Sequence, residues 1–131
     1  MKVAVAGKGG VGKTFVSGTL ARLFSRDGVR VTAIDADPAM NLGRALGIPS
    51  ESMRNLIPIA ERKDLIKERT GVEPGETWGA VFKLTPYVGD LAEKYGIEGP
   101  DGVRLLVMGT VRTAGGGCMC PANALLTALL R

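Results

Sequence analysis

Apolar and polar positions along the chain switch between two periods, and the switches mark its elements. "KVAVA" at 2–6 is a β-rich run that predicts a strand, and it ends in a glycine loop. From 14 to 28, "TFVSGTLARLFSRDG" spaces Val16, Leu20, Leu23 and Phe24 for one face of a helix that Gly28 closes. "RVTAI" at 30–34 predicts a second buried strand, which ends at "DADP". A right-handed crossover sets these two strands parallel and brings the glycine loop and the aspartates to one edge of the sheet. Residues 42–101 mix Gly and Pro punctuation with short helical patches and read as a helical excursion; "VRLLVMG" at 103–109 then returns as a third apolar strand. After further glycines, Pro121 fits the first turn of a helix carrying Leu125, Leu126, Leu129 and Leu130. The expected architecture is one α/β domain over residues 1–131, a mostly parallel sheet flanked by helices.

Composition narrows the class. A chain of 131 residues that is 45% hydrophobic suits one domain burying about two-thirds of its unfolded surface. "MKVAVAG" runs straight into the loop and leaves no room for a signal peptide, and no apolar run has membrane-span length, so a cytoplasmic location is expected. The formal net charge is +4, but the charges alternate in sign, as in "ERKDLIKER" at 61–69. That alternation predicts a solvated helix face rather than a nucleic-acid surface. Histidine is absent and the thiols are Cys118 and Cys120 alone; a reducing compartment argues against a disulfide between residues so close.

Two motifs carry chemistry. Gly7, Gly12, Lys13 and Thr14 satisfy G-x-x-x-x-G-K-[ST], and they lie between a predicted strand and a predicted helix, the context that separates a phosphate-binding loop (P-loop) from a glycine-rich turn. In such a loop the backbone of Gly7, Lys8, Gly9, Gly10, Val11 and Gly12 cradles the phosphates of ATP or ADP. Lys13 reaches the β and γ oxygens, and the Thr14 hydroxyl ligates Mg²⁺. "DADPAMN" at 35–41 is the second motif. Asp35 ends a strand, and Asp37 stands just before the turn that Pro38 fixes, where its carboxylate can hold a Mg²⁺-bound water or orient the attacking water. The plainer alternative for such a position is a strand-terminal Asx turn. Asn41 either caps the next helix or touches nucleotide.

The run K-G-G-V-G-K-T at 8–14, with its extra lysine, followed by D-A-D-P at 35–38, resembles the deviant P-loop ATPases. These include the nitrogenase iron protein, the cell-division and chromosome-partition positioning ATPases, and metal-site maturation ATPases. "GVRLLVMGTVRTAGGGCMCPANALLTALLR" and the middle, "ERTGVEPG" and "FKLTPYVGDLAEKYGIEGPDG", are similar to the nickel-insertion ATPases of carbon monoxide dehydrogenase maturation, the CooC family. The resemblance implies a P-loop NTPase fold and a homodimer in which Lys8 crosses to the partner's nucleotide and assists hydrolysis with Asp37. It also implies the carbon monoxide dehydrogenase apoenzyme as partner, with no nucleic acid and no membrane. Family members continue into an acidic switch II strand, so the chain is expected to be truncated before it.

A C-x-C pair alone is compatible with two buried structural thiols. Here Pro121 starts a helix next to the pair, and a helix N-terminus favours thiolates. Two thiolates from each of two chains complete a four-coordinate site for Ni²⁺ or Zn²⁺, which makes Cys118 and Cys120 candidate metal ligands. The alternatives are a positioning ATPase that binds DNA or a membrane, and a nucleotide- or metal-binding piece without turnover.

Overall fold

The computed structural model describes residues 1–73, 81–109 and 120–131. Its centre is β3 (Arg104–Val107), flanked by β1 (Thr32–Asp35) on one side and β2 (Ile97–Glu98) on the other. β1 runs parallel to β3 with Ala33 opposite Leu105 and Asp35 opposite Val107, whereas β2 is antiparallel with Ile97 opposite Leu105. A two-residue β2 was not foreseen, because Gly96 and Gly99 around it read as loop punctuation. It forms because the tight turn Pro100–Gly102 folds the chain straight back, with the Gly99 amide donating to the Val103 carbonyl at 2.8 Å.

β3 explains why its sequence is a continuous apolar run: successive side chains point to opposite faces, and both faces are covered. Leu105 and Val107 join Ala33, Leu42, Leu46 and Ile48 in one core, with Ala21 of helix α1 (Lys13–Arg26) and helix α2 (Leu42–Ala45) supplying the cover. Leu106 and Met108 join Ile59, Leu65, Ile66, Leu91 and Leu125 in the other core. This second core lies under α4 (Lys63–Thr70), α5 (Leu91–Tyr95) and α6 (Cys120–Leu130), while α3 (Ser50–Arg54) has no buried residue. The stretch 61–69, most of it in α4, matches the expected solvated face, with Glu61, Lys63, Asp64, Lys67 and Glu68 exposed while Leu65 and Ile66 are buried. In α6, Pro121 stands in the first turn and Leu125 is fully buried, as its spacing predicts, although Leu130 is exposed.

Two expectations are corrected. Residues 2–6 are not a strand: they are exposed and do not extend the sheet beyond its edge strand β1. Sequence preference makes a run extended, but only a hydrogen-bonded neighbour makes it a strand, and no described residue supplies that ladder. The second correction concerns the face that α1 buries. Gly18 and Ala21 are buried, whereas Val16 and Leu23 are 45% and 51% exposed. The reason is close backbone approach: a Cβ built on Gly18 would stand 3.0 Å from the Ala45 Cβ and 3.2 Å from the Ala45 carbonyl carbon. α1 therefore meets α2 through its small residues, not its large ones.

Candidate nucleotide site

The glycine loop enters α1 through Gly12, which caps the helix at φ 91°, and Gly10 has φ 77°. A Cβ on either residue would meet nothing within 4 Å, so glycine is required there by backbone conformation rather than by space. The Lys13 ammonium donates to the Lys8 carbonyl at 2.9 Å, closing the loop across itself. No acidic side chain stands in the first turn of α1, so the positive end of the helix is not neutralised locally. Lys8 is exposed, and its side chain forms no ion pair among the described residues.

The second motif meets the first. A cavity of about 250 Å³ is lined by Lys13, Thr14 and Ser17 of α1, by Asp35, Asp37 and Leu42, and by Val5. Both motifs thus reach one site even though residues 2–6 do not form the strand that was expected to align them. Asp37 is exposed, and its Oδ1 accepts the Ala39 amide at 2.9 Å, so the Asx turn is real and leaves the second carboxylate oxygen for other work. Asn41 stands at the N-terminal position of α2 but gives no side-chain cap.

Asp35 provides that cap instead. It is 4% exposed, with Oδ2 accepting the Leu42 amide at 2.9 Å and Oδ1 the Asp37 amide at 3.1 Å. Burial pushes its carboxyl above the usual carboxylate range, against the opposing pull of those two amides. Sequence reading missed two features of this site. Ser17 follows Thr14 by one helical turn and so shares its face, a signal legible in the spacing; the Asp35 cap spans seven residues of loop and had no local signature.

Hard oxygen donors from Thr14 and Asp37 on one cavity, beside a lysine, fit Mg²⁺ accompanying a polyphosphate. Among the described residues no group of three His, Cys, Asp or Glu side chains is placed to hold a metal ion. Cys118 lies outside the described residues. Cys120 opens α6 and is disulfide-bonded, which corrects the expectation of a reduced pair. Neighbours two apart in sequence are separated by at most about 7 Å of chain, so their spacing alone does not keep sulfurs apart. No described helix is long and apolar enough to cross a membrane.

Comparison with known proteins decides the family. The model for the CobQ/CobB/MinD/ParA nucleotide binding domain matches residues 2–116. The chain belongs to this family. Its P-loop NTPase fold follows from that membership, and the loop at 7–14 and the aspartates at 35 and 37 fall inside the matched span. The whole chain is 50% identical to the carbon monoxide dehydrogenase accessory protein CooC of Rhodospirillum rubrum, of which it covers 49%. It is 48% identical to an uncharacterized ATP-binding protein of Methanocaldococcus jannaschii, again covering 49% of that protein. Over 40 residues it is 55% identical to an ATPase ASNA1 homolog of Paramecium tetraurelia, 12% of whose length is matched. The chain spans about half the length of the first two curated relatives.

Proposed function

We propose that this chain is the nucleotide-binding part of a cytoplasmic, dimeric ATPase that assists nickel insertion into carbon monoxide dehydrogenase. The observation that carries the ATPase reading is the convergence of Lys13, Thr14 and Asp37 on one cavity at the start of α1. In that arrangement the Lys13 ammonium leaves the Lys8 carbonyl for the β and γ oxygens, and the backbone amides of the loop hold the remaining phosphate charge. Asp37 orients a water against the γ phosphorus; the new bond forms to that water oxygen as the bond to the β–γ bridging oxygen breaks, ADP leaves with the electron pair, and the water's proton passes to the released phosphate. Mg²⁺ would be held by Thr14 with Asp37 and would supply neutralisation of the phosphate charge there.

Lys8 is assigned to the partner's nucleotide. Its exposure, and the exposed apolar side chains of Val11 and Phe15 beside it, suit a face that a second subunit covers. A cation arriving from the partner stabilises transition-state charge as an arginine finger does. The identity with CooC supports the nickel assignment, in which Cys118 and Cys120, once reduced, contribute half of a four-thiolate site. Isothermal titration with Mg·ATP tests the core of this reading: wild type binds and Lys13→Ala loses most of the affinity. Equal affinity in the two proteins overturns it.

A further inference from the structure

The D-A-D-P segment holds two aspartates, and the hydrolytic reading uses one. We infer that Asp35 is a positioning residue for Asp37: a buried double latch that fixes the loop carrying Asp37 between the end of β1 and the start of α2. The inference rests on the reading of Asp37 as the residue that orients the attacking water.

The geometry is specific. Asp35 sits opposite Val107 at the end of β1, and its own carbonyl accepts the Met108 amide at 2.9 Å, so its backbone is anchored to the central strand. From that anchor one carboxylate oxygen takes the Asp37 amide at 3.1 Å and the other takes the Leu42 amide at 2.9 Å. The two amides bracket the exposed Pro38–Ala39 turn. Leu42 is itself buried among Leu46, Ile48, Leu105 and Val107, so both ends of the segment are tied to the core through one side chain. Met40, at φ 49°, occupies a left-handed conformation that a non-glycine residue adopts only when its surroundings impose it. A loop tied at both ends over a strained residue is a defined shape rather than a mobile one. Asp37 needs such a shape, because a misplacement of about 1 Å at a reacting group costs on the order of a hundredfold in rate.

Only a carboxylate supplies this latch. It presents two acceptors and no donor, whereas the amide of an asparagine presents one of each and leaves a donor facing one of the two backbone N–H groups. Asp35→Asn thus breaks one bond at nearly constant shape, and Asp35→Ala breaks both.

The test measures backbone amide exchange by NMR in the whole chain, together with phosphate release. In Asp35→Ala the amides of Asp37 and Leu42 are expected to exchange at least tenfold faster. Turnover at saturating Mg·ATP should fall at least tenfold while KM stays within threefold, and in Asp35→Asn one amide should stay protected with turnover lying between the two. Wild-type exchange at both amides in Asp35→Ala overturns the latch, as does released exchange with undiminished turnover. Should the alanine variant not fold, the asparagine variant decides the same question: wild-type exchange at both of its amides overturns the latch. Exchange does not depend on catalysis, so a wild type that fails to bind Mg·ATP counts against the nucleotide reading while the amides still decide the role of Asp35.

Discussion

Lys13 and Lys8 share one loop and separate cleanly by what each would do to kinetics. Lys13 faces the cavity and pairs with ground-state phosphate charge, so Lys13→Ala should weaken Mg·ATP binding at least about tenfold, the worth of a charge-assisted hydrogen bond left unmade. Lys8 points its charge at no described partner, and in the dimeric reading it acts on the transition state. Lys8→Ala should therefore keep ATP affinity and lose turnover, by about a thousandfold if it matches the lower range of an arginine finger. Asp37→Ala should behave in the same direction with a loss of about a hundredfold or more. Titration calorimetry and phosphate release distinguish these outcomes, and a Lys8→Ala protein that fails to bind ATP removes the trans assignment. Lys8 and Lys13 were legible as candidates because P-loop chemistry is local in sequence: each glycine, lysine and hydroxyl has its place within eight positions. The Asp35 cap was not legible, because its partner is seven residues away and is a backbone amide, which every residue type except proline offers.

At the scale of elements, the helix that carries the loop packs by its smallest side chains. Replacing an interior helical glycine by alanine ordinarily gains about 1 kcal/mol. At Gly18 the new methyl would stand against the Ala45 backbone, which cannot swing aside, so Gly18→Ala should instead lose about 1–2 kcal/mol as an overpacked contact. A denaturant melt with a raised midpoint would contradict this. The apolar period points to Val16 and Leu23 because periodicity weighs side-chain size; the helix pair is settled by how closely two backbones approach. The short helices of the middle were legible only as punctuation, since four- and five-residue helices hold too few turns to show a period.

Asp90 ties two of those short elements together. It receives the Lys94 ammonium at 2.8 Å and the Arg69 guanidinium at 2.7 Å, linking α5 to α4. The hydrogen bond from Lys94, then that from Arg69, holds its carboxyl down at about 2. A carboxyl lowered on folding adds stability that is complete above its unfolded value near 4 and is lost as pH falls from about 4 toward 2. Asp90→Asn should therefore flatten the acid limb of the stability curve in that window and leave stability above pH 6 lower than wild type. Parallel curves for the two proteins between about pH 4 and 2 would show that the pair is not coupled to folding.

For the molecule as a whole, the proposed dimer requires groups on each chain that could hold two copies together. The nucleotide loop presents Lys8 with the exposed Val11 and Phe15, and the C-x-C pair supplies at most two thiolates per chain. Soft divalent metals held by thiolates take four ligands, so a site built from Cys118 and Cys120 needs two chains related by a two-fold axis. Cys120 is disulfide-bonded in the structure, so reduction must come first, and metal content should rise when a thiol reductant is present. Each thiolate releases a proton on ligation, which makes binding weaken as pH falls, and a ligand shared between chains must favour the dimer by mass action. The expected outcome is one Ni²⁺ or Zn²⁺ per two reduced chains, a dimer by light scattering when metal is present, and loss of both in the Cys118→Ser, Cys120→Ser double variant. If the cysteines serve the fold alone, the double variant loses stability while metal content and mass do not change. One metal per monomer by elemental analysis, or none in the fully reduced protein, defeats the shared site.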